Sequence, residues 1–412
     1  MQKISDFKGY TVVTPTAHMA AETHGARAKC LQRLVRLKLP VPLTVALPFD
    51  TVARCADGHP PSTVEILSLF EARGLVSVRP SSQDSEWGGP SALLNVGMNG
   101  RIHAHISNSH GAEAANAIYM RFIQSYAVNV ARLDPDVFQE VEPTEANVAR
   151  ALEIYEEEAE EPFPQNPARQ LAEVLRSMAR TWDSTSARLL RQARGAPADA
   201  GLGLVVQRMA LGFGPRESGS GVVQFVDPKS GEAGVFGRYL RQSLFRDALR
   251  SPGEAHYLKL DARGPSLQSE KPEVFNELVA AGDICRERLR EEMEIEFTVE
   301  NGNLRVLDAV PARRSDRGAL RIAVDLAERG IIPEGEAVLR TPPKALTELL
   351  HPQIDPTASR DIAARGIAGS PGAATGKLVF SALAAQASNA AGEPCILVRR
   401  ETMPEDIRGM HV

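Results

Sequence analysis

The sequence lacks any apolar run that approaches a membrane-spanning helix, which needs about 18 to 20 consecutive apolar residues. Residues 1–10 carry Lys3, Asp6 and Lys8 and no apolar segment, so they do not resemble a secretory signal peptide. We therefore expect no membrane partner and a location in the cytoplasm.

Cysteine is scarce and the net charge is small. The four cysteines, Cys30, Cys55, Cys285 and Cys395, form no C-x-x-C pair, which argues against a zinc knuckle or a disulfide framework and favours reduced, buried thiols. The 47 basic and 52 acidic residues are mixed along the chain and give a net charge of −5. Nucleic-acid binding needs a concentrated positive patch, so this balance predicts no nucleic-acid partner.

The sequence does contain helical and strand patterns, distributed over 412 residues of which 43% are hydrophobic. This length favours two or three domains. Apolar residues at three-and-four spacing predict helices, and short apolar runs between turn residues predict strands. Helices are predicted at residues 23–39, 114–131, 144–160, 273–292 and 318–330, and strands at 43–47, 75–78, 204–207, 221–226, 295–299 and 304–307. The fold class is therefore α/β or α+β, and Asn301-Gly302 predicts a hairpin turn between the last two strands.

Three histidines, His103, His105 and His110, lie in or just after an alternating stretch at residues 101–106. A metal site would need a further ligand of suitable geometry, and no Asp or Glu lies nearby in the sequence. The alternation predicts a strand with solvated histidines, and this interpretation is favoured over a metal centre.

Several segments occur in the same order as in a known family. They are Phe-Pro-Gln-Asn-Pro at 163–167, Glu-Phe-Thr-Val at 296–299, Leu-Arg-Ile-Ala-Val-Asp at 320–325, Leu-Leu-His-Pro at 349–352, Gly-Ser-Pro-Gly-Ala-Ala-Thr-Gly-Lys at 369–377, and the run from Ile396 through Pro404-Glu405-Asp406-Ile407 to Gly-Met-His at 409–411. With them the sequence resembles the pyruvate phosphate dikinase family. Any one segment could be chance, but their shared order is hard to explain otherwise.

The resemblance implies an ATP-grasp nucleotide-binding fold with a helical insertion, followed by an incomplete swivelling phosphohistidine domain. The expected division is residues 1–162 and 163–352 for the two ATP-grasp subdomains, the first with a helical segment and the second with a helical linker, and 353–412 for the start of the phosphohistidine domain. The family's acceptor histidine lies downstream of the Gly-Met-His segment, so His411 is not the acceptor. We expect this chain to contain neither that histidine nor the pyruvate-binding barrel.

The resemblance also implies a nucleotide site with magnesium and ATP as cofactors. Its phosphate-contacting lysine corresponds to Arg27, and a phosphate-contacting arginine corresponds to Arg79. Gly88 keeps a glycine of the loop that closes over the phosphates, and Gln207 matches a glutamine near the adenine. Arginine is planar and bulkier than lysine, so Arg27 is not an equivalent replacement. The same loop carries Asp84 and Glu86, and we expect these carboxylates to repel a triphosphate.

The magnesium-binding carboxylates implied by the resemblance are Glu294 and Glu296. Their spacing of two places both side chains on one face of a strand, as a cation that bridges phosphates requires. The family's Leu-Gln-Thr-Arg segment falls on residues 307–310, so Asp308 replaces a ligand-contacting glutamine and Val310 replaces an arginine. Arg79 and Glu296 could instead form an internal ion pair, Gln207 could satisfy a strand edge, and Arg27 could lie on a solvated helix face.

These features predict a dikinase-like nucleotide-binding protein whose site is partly degraded and whose ATP binding is weak or absent. One alternative is a working kinase module that transfers phosphate to a histidine on a partner chain. Another is a regulatory or scaffold partner of an intact dikinase. Exposed apolar residues at 378–380 and 396–398 also predict self-association into a homo-oligomer.

Overall fold

The structure is a computed structural model that describes residues 8–71, 74–138, 142–244, 247–250, 253–350, 354–355, 358–363, 373–399 and 406–410. It is a mixture of helices and mainly antiparallel sheets, consistent with the α/β class. The strands are β1 (Thr11–Val12), β2 (Thr44–Leu47), β3 (Val76–Ser82), β4 (Leu93–Val96), β5 (Leu202–Arg208), β6 (Gly219–Val226), β7 (Ala233–Arg241), β8 (His256–Tyr257), β9 (Met293–Glu300), β10 (Asn303–Pro311), β11 (Lys377–Val379) and β12 (Cys395–Leu397).

The helices predicted from apolar periodicity are confirmed, with ends that differ by a few residues. The helices are α1 (Ala21–Arg36), α2 (Phe49–Ala56), α3 (Thr63–Ser68), α4 (Gly100–His110), α5 (Ala112–Tyr126), α6 (Glu145–Ala159), α7 (Pro167–Asp183), α8 (Thr185–Ala193), α9 (Asp247–Arg250), α10 (Leu267–Glu270), α11 (Pro272–Leu289), α12 (Asp316–Glu328), α13 (Glu334–Leu339), α14 (Pro343–Leu349), α15 (Ala382–Ala390) and α16 (Ile407–Met410).

The chain divides into two compact units, Met1–Arg313 and Arg314–Val412. The first unit contains two five-stranded antiparallel sheets, with strand orders β1-β2-β5-β3-β4 and β10-β9-β6-β7-β8. We call them sheet A and sheet B. In the second unit, β11 and β12 pair in parallel.

Helix α1 packs against both sheets of the first unit, and this position creates the candidate site. Its buried residues Leu31 and Leu34 belong to the same apolar core as Ile295 and Val306 of sheet B and Val205 of sheet A. A second core lies on the other side of sheet A, where helices α4 to α7 cover β3, β4 and β5. Sheets that bury both faces in this way hold the residues at their facing edges in fixed positions.

The hairpin predicted at Asn301-Gly302 is confirmed. Strands β9 and β10 pair in antiparallel register from Glu300↔Asn303 onward, and the two turn residues have φ angles of 51° and 85°. Positive φ at both central positions is the requirement of a primed turn, which Asn-Gly meets at low cost. The turn fixes the register of β9 and β10, and with it the relative positions of Glu294, Glu296 and Asp308.

The strand predicted at residues 101–106 is wrong, because this stretch forms helix α4. Asn99 caps the helix by accepting a hydrogen bond from the Ile102 N–H at 2.9 Å, and the buried residues Ile102 and Ile106 are one helical turn apart. A cap followed by apolar residues at i and i+4 outweighs the apparent alternation. His103 lies 2.7 Å from the Asn116 side chain, on the neighbouring helix α5.

The three predicted domains, 1–162, 163–352 and 353–412, do not coincide with the two units, and their boundaries stay predictions. Strand β5, from the predicted second domain, lies between β2 and β3 of sheet A, which come from the first. Residues 369–372 of the glycine-rich motif at 369–377 fall outside the described residues, as do His411 and part of the predicted linker at 352–360. Within the described residues, no helix has the length and apolarity needed to cross a bilayer.

Candidate functional site

The first turn of α1 is pressed against the end of β3. Gly25 has a φ of +85°, and a Cβ atom at this position would lie 1.8 Å from the Ser81 carbonyl oxygen. The Ser81 hydroxyl donates to the His24 carbonyl at 2.7 Å and accepts from the Ala28 N–H at 3.1 Å. Only glycine permits this approach, which brings Arg27 to the space between the two sheets.

Arg79, on β3 of sheet A, is the centre of the site. Its guanidinium is buried and crosses to sheet B, where Nη2 lies 2.9 Å from Glu296 Oε2 and 3.4 Å from Asp308 Oδ2. Its Nη1 also donates to the Leu307 carbonyl at 3.3 Å. The pairing register shifts between Val306 and Asp308, as in a β-bulge, so the Leu307 carbonyl can accept this hydrogen bond from Arg79.

Asp308 brings the two arginines of the site together. Its carboxylate accepts a hydrogen bond from Arg27 Nε at 2.7 Å, and the second nitrogen of that fork, Nη1, donates to the Pro80 carbonyl. Asp308 is directly opposite Glu296 in the strand pairing, at a distance where two carboxylates repel each other. Arg79 lies between them and neutralises that repulsion. The internal ion pair that the sequence left open as an alternative is thus the arrangement found.

The protonation states of this cluster are set by burial and by the paired charges. Burial alone would raise the pKa of Asp308, but Arg27 and Arg79 outweigh burial and hold that pKa below its ordinary value. Burial alone would lower the pKa of Arg79, but Glu296 and Asp308 outweigh it and raise that pKa. Asp308 and Arg79 are therefore both ionised near neutral pH.

Two neighbouring cavities open onto the cluster. The smaller one, of about 180 Å³, is lined by Arg27 and Arg79 together with Glu294, Glu296 and Asp308. The larger one, of about 340 Å³, shares Arg27, Pro80 and Val310 with the first and extends to Gly88 and Gly89. Most of the predicted nucleotide-site residues are therefore brought together, around two cations and three carboxylates.

Glu294 and Glu296 line the same cavity, as expected from their spacing on β9. Within the part of the chain that the structure describes, no group of three or more His, Cys, Asp or Glu residues is arranged to hold a metal ion. Glu296 is also engaged by Arg79, so a magnesium ion at this pair would compete with a buried arginine. The site therefore does not fit the metal without a rearrangement of that ion pair.

The loop at residues 84–89 contributes glycine rather than charge to the cavities. Gly88 has a φ of +80°, and the Arg194 guanidinium would lie 2.7 Å from a Cβ atom there. Asp84 and Glu86 are exposed and line neither cavity, and the repulsion of a triphosphate expected from them stays a prediction. The negative charge at the cluster comes from sheet B instead.

Gln207 lines neither of the two cavities that open onto Arg27, Arg79 and their carboxylate partners. It is buried on β5 and its side chain donates to the Thr44 hydroxyl at 3.1 Å, within sheet A. It borders a cavity of only about 10 Å³, which it shares with Arg79 and Leu94. A space of this size holds about one water molecule. In this structure the Gln207 side chain therefore forms a hydrogen bond within sheet A.

Sequence reasoning missed the apolar wall of the larger cavity, formed by Cys30, Leu289, Met293 and Pro311. One signal was present, because Cys30 lies three residues after Arg27 and therefore on the same face of α1. The Cys30 thiol contacts the Ala309 carbonyl at 3.1 Å. The other three residues come from segments more than 250 residues away, and no local pattern places them beside α1.

The sequence is similar to proteins named pyruvate, phosphate dikinase. It is 37% identical over 362 residues to the one from Rhizobium meliloti (strain 1021) and 32% identical over 359 residues to the one from Clostridium symbiosum. It is also 32% identical over 360 residues to the chloroplastic protein of Mesembryanthemum crystallinum. Each alignment covers 82% of this chain, but only 37 to 40% of the relative.

The chain thus spans about two fifths of the length of the curated relatives it matches. No family model matches it. The similarity extends over most of this chain at a level that chance does not produce, and it agrees with the ordered motifs of the sequence. The chain is therefore homologous, over 82% of its length, to proteins named pyruvate, phosphate dikinase, and it is consistent with a region like the N-terminal part of these proteins.

Proposed function

We propose that this protein is a dikinase-like nucleotide-binding unit with an ATP-grasp core, whose phosphate site is impaired. It binds magnesium-ATP weakly or not at all and completes no phosphoryl transfer by itself. The observation that carries the proposal is the buried ion network in which Asp308 and Glu296 occupy the two arginines that would hold phosphates.

The first argument is charge. Phosphoryl transfer depends on cations that hold the phosphates and stabilise the charge of the transition state. In this cleft Arg27 and Arg79 face Glu294, Glu296 and Asp308, so carboxylates outnumber cations. A close ion pair is worth on the order of 4 kcal/mol at an effective dielectric constant of about 20. A triphosphate would have to replace such interactions at both arginines before it gained any affinity.

The second argument concerns Val310, which lines both cavities where the family resemblance implies an arginine. Its strand-pairing partner is Glu294, so the position faces the predicted metal ligands. An aliphatic side chain cannot stabilise developing negative charge. Loss of a catalytic cation of this kind typically costs several kcal/mol of barrier height.

Calorimetric titration with magnesium-ATP tests the proposal. The wild-type protein should show no binding below millimolar concentrations. The double variant Asp308→Gln, Val310→Arg should bind at least tenfold more tightly, because it removes one competing carboxylate and adds one cation. Val338→Arg, at an exposed position of α13, is the matched control for added charge and should behave as wild type. Micromolar binding by the wild type, followed by phosphate release, would contradict the impaired site.

A second candidate function is a working kinase module that phosphorylates a histidine on a partner chain. It is favoured by the shared cavity of Arg79, Glu294 and Glu296, which keeps the residue types needed for a metal-bound nucleotide. Incubation with γ- or β-labelled ATP and a partner chain that has a phosphohistidine domain but no nucleotide-binding region of its own should transfer label to the partner's histidine. A Glu296→Gln variant should abolish this transfer. Absence of label on the partner in both reactions rejects this candidate.

A further inference from the structure

The larger cavity, of about 340 Å³, differs in chemistry from the ion cluster beside it. It lies within the first unit, between α1, the end of β3, the start of β9 and the end of β10. Its size falls near the lower end of the range of small-molecule sites, about 300 to 1,000 Å³. The cavity is therefore large enough for a small molecule, and it adjoins arginines that are already paired with carboxylates.

The polar side chains of the wall already have partners within the chain. Arg27 is bonded to Asp308 and Pro80, Cys30 contacts the Ala309 carbonyl, and Arg33 donates to the Arg288 carbonyl at 3.3 Å. The hydroxyls behave in the same way. Ser81 donates to the His24 carbonyl, and Ser82 donates to the Asp84 carbonyl at 2.7 Å. A ligand would gain little here from new hydrogen bonds, because each would replace an existing one.

The rest of the wall is apolar. It presents the side chains of Ala26, Pro80, Leu289, Met293, Val310 and Pro311. Burial of apolar ligand surface against such a wall is favourable and needs no specific partner. The thioether of Met293 is flexible and polarizable, so this wall can adapt to rings of different shape.

Charge decides against a polyanion as the ligand. This cavity is lined by Arg27, Arg33 and Glu291. The adjoining cavity adds Arg79, Glu294, Glu296 and Asp308, so four carboxylates face three cations over the two cavities. Arg27 is already paired with Asp308 and Arg79 with Glu296. A phosphate group entering here would meet this excess of carboxylates, whereas an uncharged molecule would not be repelled.

We propose that this cavity binds an uncharged, largely apolar organic molecule of one to three rings in place of the phosphates of a nucleotide. The proposal rests on the impaired phosphate site described above and names the class of ligand that such a site accepts. In this arrangement Arg27, paired with Asp308, forms one end of the pocket, and the proline, methionine and valine side chains form its walls.

Titration of the 412-residue chain with N-phenyl-1-naphthylamine, an uncharged dye that fluoresces in apolar surroundings, tests the proposal. The wild-type protein should bind the dye at a single site. Val310→Phe, which fills the cavity with a ring, should weaken binding at least tenfold. Val64→Phe is the matched control, since Val64 is 67% exposed on α3 and lines neither cavity, and it should bind as wild type does. Circular dichroism verifies that each variant is folded.

A second control separates the cavity from exposed apolar surface. Phe380 of the second unit is 65% exposed and could attract the dye without a pocket, so Phe380→Ser should leave binding unchanged. Loss of binding in Phe380→Ser, or full binding in a folded Val310→Phe variant, would overturn the proposal. If the wild type binds neither dye nor magnesium-ATP, this inference fails while the impaired phosphate site stands. Tight ATP binding that displaces the dye would overturn both.

Discussion

Replacing Asp308 with asparagine removes one charge from the ion network and keeps the shape of the side chain. In the wild type the Asp308 carboxylate lies 2.7 Å from Arg27 Nε and 3.4 Å from Arg79 Nη2. We expect Asp308→Asn to lower the free energy of unfolding of the first unit. We also expect a gain in affinity for magnesium-ATP, because both arginines lose a competing anion.

The size of the stability loss follows from what each arginine retains. Removing one partner of a fully buried ion pair typically costs about 3 to 5 kcal/mol. Here Arg79 keeps Glu296 at 2.9 Å, and the Arg27 side chain is 22% exposed, so water can take part of the lost interaction. We therefore expect a loss of about 2 to 3 kcal/mol. At an m-value of about 3 kcal/mol per molar urea, a loss of this size lowers the unfolding midpoint by roughly 1 M urea.

Intrinsic fluorescence during urea unfolding measures this effect in the correct unit, because both tryptophans, Trp87 and Trp182, lie in the first unit. Asp261→Asn is the matched control. It removes the same charge from an ion pair with the exposed Arg263 and should leave the midpoint nearly unchanged. If Asp308→Asn unfolds at the wild-type midpoint and gains no affinity for ATP, the ion network neither stabilises the cleft nor competes with phosphate, and the reasoning above is refuted.

Three further predictions concern the same region. The pKa of Asp308 is held below its ordinary value of 3.8. Its contribution to stability is therefore complete above that pH and is lost as the pH falls through the lower pKa of the folded state. Urea midpoints measured below about pH 4 should fall more steeply for the wild type than for Asp308→Asn. Gly25→Ala should lower the free energy of unfolding by about 3 kcal/mol or more, measured by thermal or urea unfolding, because it adds a clash with Ser81 to the backbone strain. Gly58 has a φ of +88° and no atom within 4 Å of an added Cβ, so Gly58→Ala should cost only about 1 kcal/mol. Equal losses in the two variants would show that the contact with Ser81 is unimportant. Burial, together with Asp308, raises the pKa of the Cys30 thiol, so mass mapping after alkylation at pH 8 should find it unmodified in the native protein and modified after unfolding. Rapid alkylation in the native state would contradict the raised pKa.

Local patterns were sufficient for most elements of the fold. Apolar periodicity predicted α1, α5, α6, α11 and α12, and the Asn-Gly pair predicted the turn between β9 and β10. These signals depend on neighbours a few residues apart, so they are legible without tertiary information. The stretch at residues 101–106 was misjudged because two local signals competed there, and the cap at Asn99 with the apolar pair at 102 and 106 outweighed the alternation.

The order of motifs along the chain also predicted the resemblance to pyruvate phosphate dikinase, which the comparisons confirm, since ordered similarity does not depend on knowing any contact. The resemblance further predicted the positions at which residues of the phosphate site differ from the family, at Arg27, Asp308 and Val310. What each change does in the folded protein was not contained in that comparison.

Only the tertiary structure decided how the charged residues are paired. Arg79 and Glu296 are 217 positions apart in the chain, and Arg27 and Asp308 are 281 positions apart. Partners this distant meet only because the packing of α1 between sheets A and B, and the register set by the β9–β10 turn, bring them within hydrogen-bonding distance. A sequence pattern fixes which charges a chain carries, but burial and distance determine whether those charges bind a ligand or one another.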